Sequence, residues 1–213
     1  MKYRFSAPLE EPRSKSYMKS YHVCYSRKLG RNITALGQFQ FDNLLCLEMD
    51  PKVIWYCERP MEDILHINGK SIKVEPSVYV VYSGGQESFQ LVTSGDTDNS
   101  VIADFNLWGV CKNEQIEIRR TRDIYAGVFF MRNIYFLAAR ARRVRTIDKG
   151  ADDAFVRYLS MNGTMTIGQL ITSGRLTEPN GCDYIADLYY RGLIRIHDME
   201  EKQISYKTEV DCV

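Results

Sequence analysis

No two cysteines of this chain have the two-residue spacing of a metal knuckle or a redox pair, and its three histidines, His22, His66 and His197, are far apart in sequence. A structural zinc and a His-based nucleophilic site are therefore not expected. The six cysteines, at positions 24, 46, 57, 111, 182 and 212, are expected as reduced, packed thiols. No stretch approaches the ~20 consecutive apolar residues of a membrane span, and the opening residues contain no apolar signal core. These absences lead to the expectation of a cytoplasmic protein without a membrane partner. What the chain does have is apolar material: 213 residues with 45% hydrophobic and 12% aromatic content can fill one large or two ordinary domains.

The net charge of +1 conceals a division. Residues 1–149 carry 22 Lys or Arg against 17 Asp or Glu, and residues 150–213 carry 6 against 10. The first part suits a phosphate-bearing partner and the second is repelled by one. Two parts with different partners are expected.

The stretch from Leu36 to Thr93 sets the plan. Apolar Leu44, Leu45, Leu47 and Met49 end at the Asp50-Pro51 stop, so a helix is expected there, followed by a strand from Val53. Asn68-Gly69 between Ile64–Ile67 and Ile72–Val74 reads as a β-hairpin. A further strand follows Pro76, then the Ser83-Gly84-Gly85 turn, then another strand through Phe89 and Val92. One helix laid on three or four bent strands is the expected arrangement.

This order resembles the TnsA endonuclease family of Tn-seven-like transposons. The Asp50-Pro51 turn with Val53, the Arg59-Pro60 pair, the Asn68-Gly69-Lys70 hairpin and the run from Pro76 to Tyr82 carry the resemblance, and Thr121, Ile124, Asn133 and Leu137 extend it. The resemblance implies an α+β fold, a restriction-endonuclease-like PD-(D/E)xK mixed-sheet domain followed by a small winged-helix domain. It also implies a metal-dependent DNA endonuclease, in which clustered carboxylates hold Mg²⁺ and a Lys steadies water or phosphate. Counting from the landmarks puts the helix Glu at Gln40, the Asp at Ser77, and the last acid and Lys at Leu91 and Thr93, all uncharged here. The expectation is a pseudo-nuclease with no confident catalytic residue and no cofactor. The alternative is an enzyme whose acids migrated to neighbouring positions, with Glu75, Glu87, Asp42 and Glu48 as candidates, Lys73 or Lys70 as basic partner, and Mg²⁺ as cofactor.

Residues 1–35 read as a basic, aromatic arm without sustained periodicity, in which Arg4, Arg27, Lys28 and Arg31 alternate with Tyr3, Phe5, Tyr21 and Tyr25. Such a segment either lies along a nucleic-acid backbone or packs its rings on its own domain. Residues 36–149 form the expected nuclease-fold domain. Within it, Val101–Lys112 reads as a short helix, and the Asp96, Asp98, Asn99 stretch as a loop. Arg119, Arg120, Arg122, Arg132, Arg140, Arg142, Arg143 and Arg145 meet one acid, Asp123, across Arg119–Arg145. With Arg27, Lys28 and Arg31, all of these except Arg132 are the candidate DNA-backbone contacts, because arginine makes forked phosphate contacts. The competing reading is a solvated helix end.

Residues 150–213 read as three helices and a β-hairpin, with the strand running from Lys202 to Val210 as the partner across the Asp198–Glu201 turn. The third helix offers only Arg191 against Asp183 and Asp187, which suits a protein partner better than a major groove. The resemblance implies docking on an AAA+ ATPase regulator and a transposase subunit. The resulting expectation is a disarmed DNA transposition protein. An active endonuclease nicking transposon 5′ ends, or a phage or mobile-element DNA-binding regulator, stands as the alternative.

Overall fold

Residues 3–10, 20–94, 97–144, 146, 148–177 and 180–213 are described by the computed structural model. They are mixed α+β and pack as two compact units, Met1–Leu47 with Lys52–Ile124, and Glu48–Pro51 with Tyr125–Val213. The expected boundary at residues 149–150 thus differs from the packing boundary after Ile124. The reason lies in Phe130–Ala141, whose apolar stripe, Ile134, Leu137 and Ala138, is buried within the second unit.

In the first unit, β1 (Tyr21–Ser26) and β2 (Arg31–Leu36) form an antiparallel hairpin. Helix α1 (Gln38–Met49) precedes β3 (Val53–Glu58). The hairpin β4 (Asp63–Ile67) and β5 (Lys70–Val74) comes next, followed by β6 (Val78–Tyr82) and β7 (Glu87–Thr93). Helix α2 (Asn99–Lys112), β8 (Ile116–Arg120) and the single turn α3 (Thr121–Ile124) complete the unit. The four-stranded sheet has the order β3-β6-β7-β8, with β3, β6 and β7 an antiparallel meander and β8 parallel to β7. A parallel neighbour needs a crossover, and α2 supplies it.

Strand alternation sorts the core into two clusters. Val53, Tyr56, Val78 and Val80 pack with Leu44 and Leu47 of α1 and with Ile33 and Ala35 of β2. Cys57, Tyr79, Phe89 and Leu91 pack with Phe105 and Trp108 of α2. The second cluster is aromatic: Phe89 meets Trp108 edge-on at 5.1 Å, and Phe105 stacks on Trp108 at 5.6 Å. Burying each such ring is worth about 2–3 kcal/mol, enough to fix the crossover. The Trp108 indole N–H donates to Asp63 Oδ2 at 2.9 Å, so its one polar atom is satisfied. Lys112 and that indole hold the Asp63 carboxyl below its usual range.

Two expectations need revision, and one open alternative is decided. The residues from Tyr21 to Leu36, read as arm, are a strand pair whose Ile33 and Ala35 are buried. Tyr3 stacks on Trp55 at 4.4 Å, Phe5 meets Tyr79 edge-on, and Trp55 Nε1 donates to the Phe5 carbonyl at 2.9 Å. Those rings therefore pack on their own domain. The segment read as a short helix is the 14-residue α2, which starts two residues earlier, at Asn99, because Asp98 caps it by accepting from Ser100 N. The Asn68-Gly69 turn is as expected, with φ of 49° and 74°, both in the left-handed region that a two-residue hairpin demands.

In the second unit, α4 (Phe130–Ala141), α5 (Lys149–Asn162), β9 (Met165–Thr166), α6 (Ile167–Thr172), α7 (Gly181–Tyr190), β10 (Ile194–Ile196) and β11 (Glu209–Cys212) follow in order. The three short strands form an antiparallel sheet of order β10-β11-β9. Thr166 closes a capping box with Gln169 that starts α6. The partner of β10 is Glu209–Cys212 and not the longer stretch from Lys202, because Asn133 fastens the intervening chain as a loop. Its amide donates to the Met199 and Lys202 carbonyls at 2.8 and 2.7 Å and accepts from Ile204 N at 3.0 Å.

Candidate functional site

On β7, Phe89 and Leu91 face α2, so Gln90 and Val92 face α1. Gln90 is 1% exposed and Asn43 of α1 is fully buried, and the two amides meet: Asn43 Nδ2 donates to Gln90 Oε1 at 2.9 Å. Gln90 Nε2 donates in turn to Glu117 Oε2 on the neighbouring β8 at 2.8 Å, a pair fixed by the parallel register. Arg119, two residues along β8 on the same face, donates through Nε to Asn43 Oδ1 at 3.2 Å and through Nη1 to Glu117 Oε1 at 3.2 Å. Helix, meander and crossover strand each contribute to one polar network, centred on a guanidinium.

The resemblance implies a divalent cation held by carboxylates, and this face does not fit one. Its two amide oxygens already accept hydrogen bonds, its one carboxylate is engaged by Gln90 and Arg119, and a fixed positive charge stands among them. Mg²⁺ needs carboxylate to offset its dehydration and is repelled by a nearby guanidinium. Among the described residues, no group of three His, Cys, Asp or Glu side chains is arranged to hold a metal.

The four positions reached by counting do not gather. Gln40 is half-buried on α1, whereas Leu91 is buried in the cluster on the opposite face of the sheet, and Thr93 shares its parity on β7. A count shifted by one residue along a strand exchanges its faces. Ser77 is tied to β7, its Oγ accepting from Val92 N at 3.0 Å. Of the migrated candidates, Lys73 joins Glu75 at 2.7 Å and Glu62 at 2.8 Å on the exposed β4–β5 side. Lys70 is exposed in the same hairpin. Glu87 lies at the start of β7 opposite Val81, Asp42 accepts from Gln38 at 2.7 Å, and Glu48 is buried in α1.

The candidate phosphate contacts divide by their partners. Arg31 forks onto Glu58, Lys28 Nζ donates to the Leu47 carbonyl at 2.7 Å, and Arg119 belongs to the network above. Arg140 donates to Asp183 at 2.9 Å and lies over the Phe136 ring at 4.5 Å. These four are engaged in holding the fold. Arg120 and Arg122 are exposed at the end of β8 and in α3, and Arg143 is 65% exposed. Arg27 and Arg142 are half-buried, and Arg145 lies outside the described residues, as does Asp96 of the loop read before α2.

In the second unit, Arg191 donates to Asp152 at 2.6 Å and to Asp187 at 2.8 Å, while the Tyr184 hydroxyl donates to Asp152 at 2.9 Å. The Arg191 hydrogen bond holds the Asp152 carboxyl below its usual range, and burial raises the Tyr184 phenol. No residue of α7 is exposed, and α7 packs on α4. Its acids therefore serve internal ion pairs. Cys57 is a packed thiol pushed up to about 12 by burial, so it carries no nucleophilic chemistry at neutral pH.

Sequence reasoning passed over Asn43, Gln90 and Glu117. The available signal was the amide itself: Asn43 and Gln90 interrupt apolar runs in elements that bury them, and a buried amide requires a partner. Compared with protein-family models and with curated proteins, the chain matches none.

Proposed function

We propose that this chain is a TnsA-like DNA transposition protein in which the nuclease fold is kept as a scaffold and its metal chemistry is lost. The reading takes the first unit as a PD-(D/E)xK domain, supported by the order helix, three-strand meander, crossover helix and parallel strand. It takes the second as a winged helix, supported by the sequence α5-β9-α6-α7-β10-β11. The observation that carries the loss of activity is the Asn43–Gln90–Glu117–Arg119 network, where an internal guanidinium occupies the surroundings of a would-be cation. DNA is held by its backbone, through exposed arginines and without base readout. A transposase subunit and an AAA+ ATPase regulator are the protein partners that the resemblance implies, while the third helix, packed on α4 with no exposed residue, does not suit a major groove.

One observation favours the enzymatic alternative: Lys73, Glu75 and Asp104 line a cavity of about 300 Å³ beside α2. Nicking of supercoiled plasmid with Mg²⁺ or Mn²⁺ separates the two. The scaffold predicts retained DNA binding with no nicks. Metal-dependent nicks that disappear in Glu75→Ala would overturn it and make the chain an endonuclease.

A further inference from the structure

Strands β7 and β8 run parallel and end together, with Thr93, the last residue of β7, paired in register with Arg120, the last of β8. Crevices beyond the carboxyl ends of parallel strands are where open α/β sheets take ligands. Here the crevice is a cavity of about 280 Å³ lined by Thr93, Ser94, Thr97, Arg120, Thr121 and Arg122, with Asn99 and the half-buried Ile102 completing it. Four hydroxyls and two guanidiniums gather in one small cavity, and among the described residues that line it none is a carboxylate. Two described acids nearby each have one oxygen taken by the backbone: Asp98 Oδ1 accepts from Ser100 N at 2.9 Å, and Asp123 Oδ2 accepts from Arg120 N at 2.8 Å. Asp123 also stands 3.7 Å from Arg122, a long contact that leaves that side chain 76% exposed.

We infer that this crevice binds one phosphate group, with the two guanidiniums on the oxyanion and the hydroxyls donating to its remaining oxygens. Forked guanidiniums match a tetrahedral oxyanion, and hydroxyls complete its hydrogen bonding without adding charge. The volume lies just below the range of pockets that hold organic ligands, about 300 to 1,000 Å³. A phosphate with its attached sugar therefore fits better than an extended ligand, and Ile102 supplies an apolar wall for it. The phosphate could come from a nucleic-acid strand or from a free phosphate ester. The strand assignment rests on the scaffold reading above, whereas the oxyanion site does not.

The test uses the full chain. Titration with inorganic phosphate at constant ionic strength, followed by amide shifts in ¹H–¹⁵N spectra, is expected to move Thr97, Asn99 and Thr121 saturably. The double variant Arg120→Gln, Arg122→Gln is expected to abolish those shifts, and Arg157→Gln, an exposed arginine of α5, to keep them. Absence of saturable shifts, or equal shifts in the double variant, overturns the site. A second arm measures duplex DNA affinity against salt. The double variant is expected to bind about tenfold more weakly with a salt slope reduced by about 1, the loss of one phosphate contact. Phosphate shifts in a chain that binds duplex with an unchanged slope overturn the strand assignment and give the site to a free ester. Phosphate shifts in a chain that binds no duplex at all support the crevice and overturn the scaffold reading.

Discussion

The Arg31 guanidinium lies edge-on against the Glu58 carboxylate, its two terminal nitrogens each 2.7 Å from one oxygen. Glu58 also accepts from Thr34 N at 3.3 Å, so the pair joins β2 to β3. An arginine that reads in sequence as a phosphate contact is thus a strut between two strands. Its fork geometry is the one that phosphate would use, but Glu58, whose side chain is 3% exposed, claims it first.

Replacing Arg31 by Ala should therefore affect stability more than DNA binding. Removing one partner of a fully buried pair costs about 3–5 kcal/mol. Arg31 is 25% exposed, so water can reach the orphaned carboxylate and the expected loss is nearer ~2 kcal/mol. Urea denaturation measures this, and the salt slope of DNA binding by the folded variant should be unchanged. A reduced slope at unchanged stability would return Arg31 to the phosphate-binding set.

Local chemistry was the legible part of this fold. Asn68-Gly69 and Asp50-Pro51 punctuate the chain where expected, because turns and helix stops are fixed by single residues. The β1–β2 pair was not legible, since its buried side holds only Ile33, Ala35 and Ser26 among polar and aromatic neighbours, a pattern too sparse to mark a strand. The polar network was missed for a different reason. Whether Gln90 or Leu91 faces α1 depends on strand register, which spacing within one strand does not determine. The sequence also shows eight arginines between Arg119 and Arg145 without showing that Arg119 and Arg140 already have acceptors.

Asn133 illustrates a residue whose motif-like position has a structural cause. It is 1% exposed and makes three bonds to the backbone of residues 199–204. Close by, Gly127 has the Glu200 carbonyl where a Cβ would otherwise stand, and Phe129 N donates to that carbonyl at 3.3 Å. Asn133→Ala should cost about 3 kcal/mol, because it leaves backbone groups without partners at about 1–3 kcal/mol each. The accompanying signature is faster amide exchange at Ile204, measured by hydrogen–deuterium exchange. A loss under ~1 kcal/mol would mean that water replaces the amide and the loop is not held by it.

The Asp152–Arg191 pair carries a pH dependence whose sign is set by its geometry. Arg191 stabilises the charged carboxylate, so the folded-state pKa of Asp152 lies below the ordinary value of about 3.9. A depressed carboxyl contributes stability that is fully present above the unfolded-state pKa and disappears as pH falls through the folded-state one. Wild type and Asp152→Asn should therefore differ most above the unfolded-state pKa of about 3.9 and draw together as pH falls below it. Above pH 5 the variant leaves Arg191 with Asp187 alone and loses a charge-assisted hydrogen bond worth roughly 1.5–3 kcal/mol. Urea midpoints measured from pH 6 down to pH 2.5 provide the test. A gap that stays constant across that range would show that Asp152 contributes through packing and neutral hydrogen bonding, not through its charge.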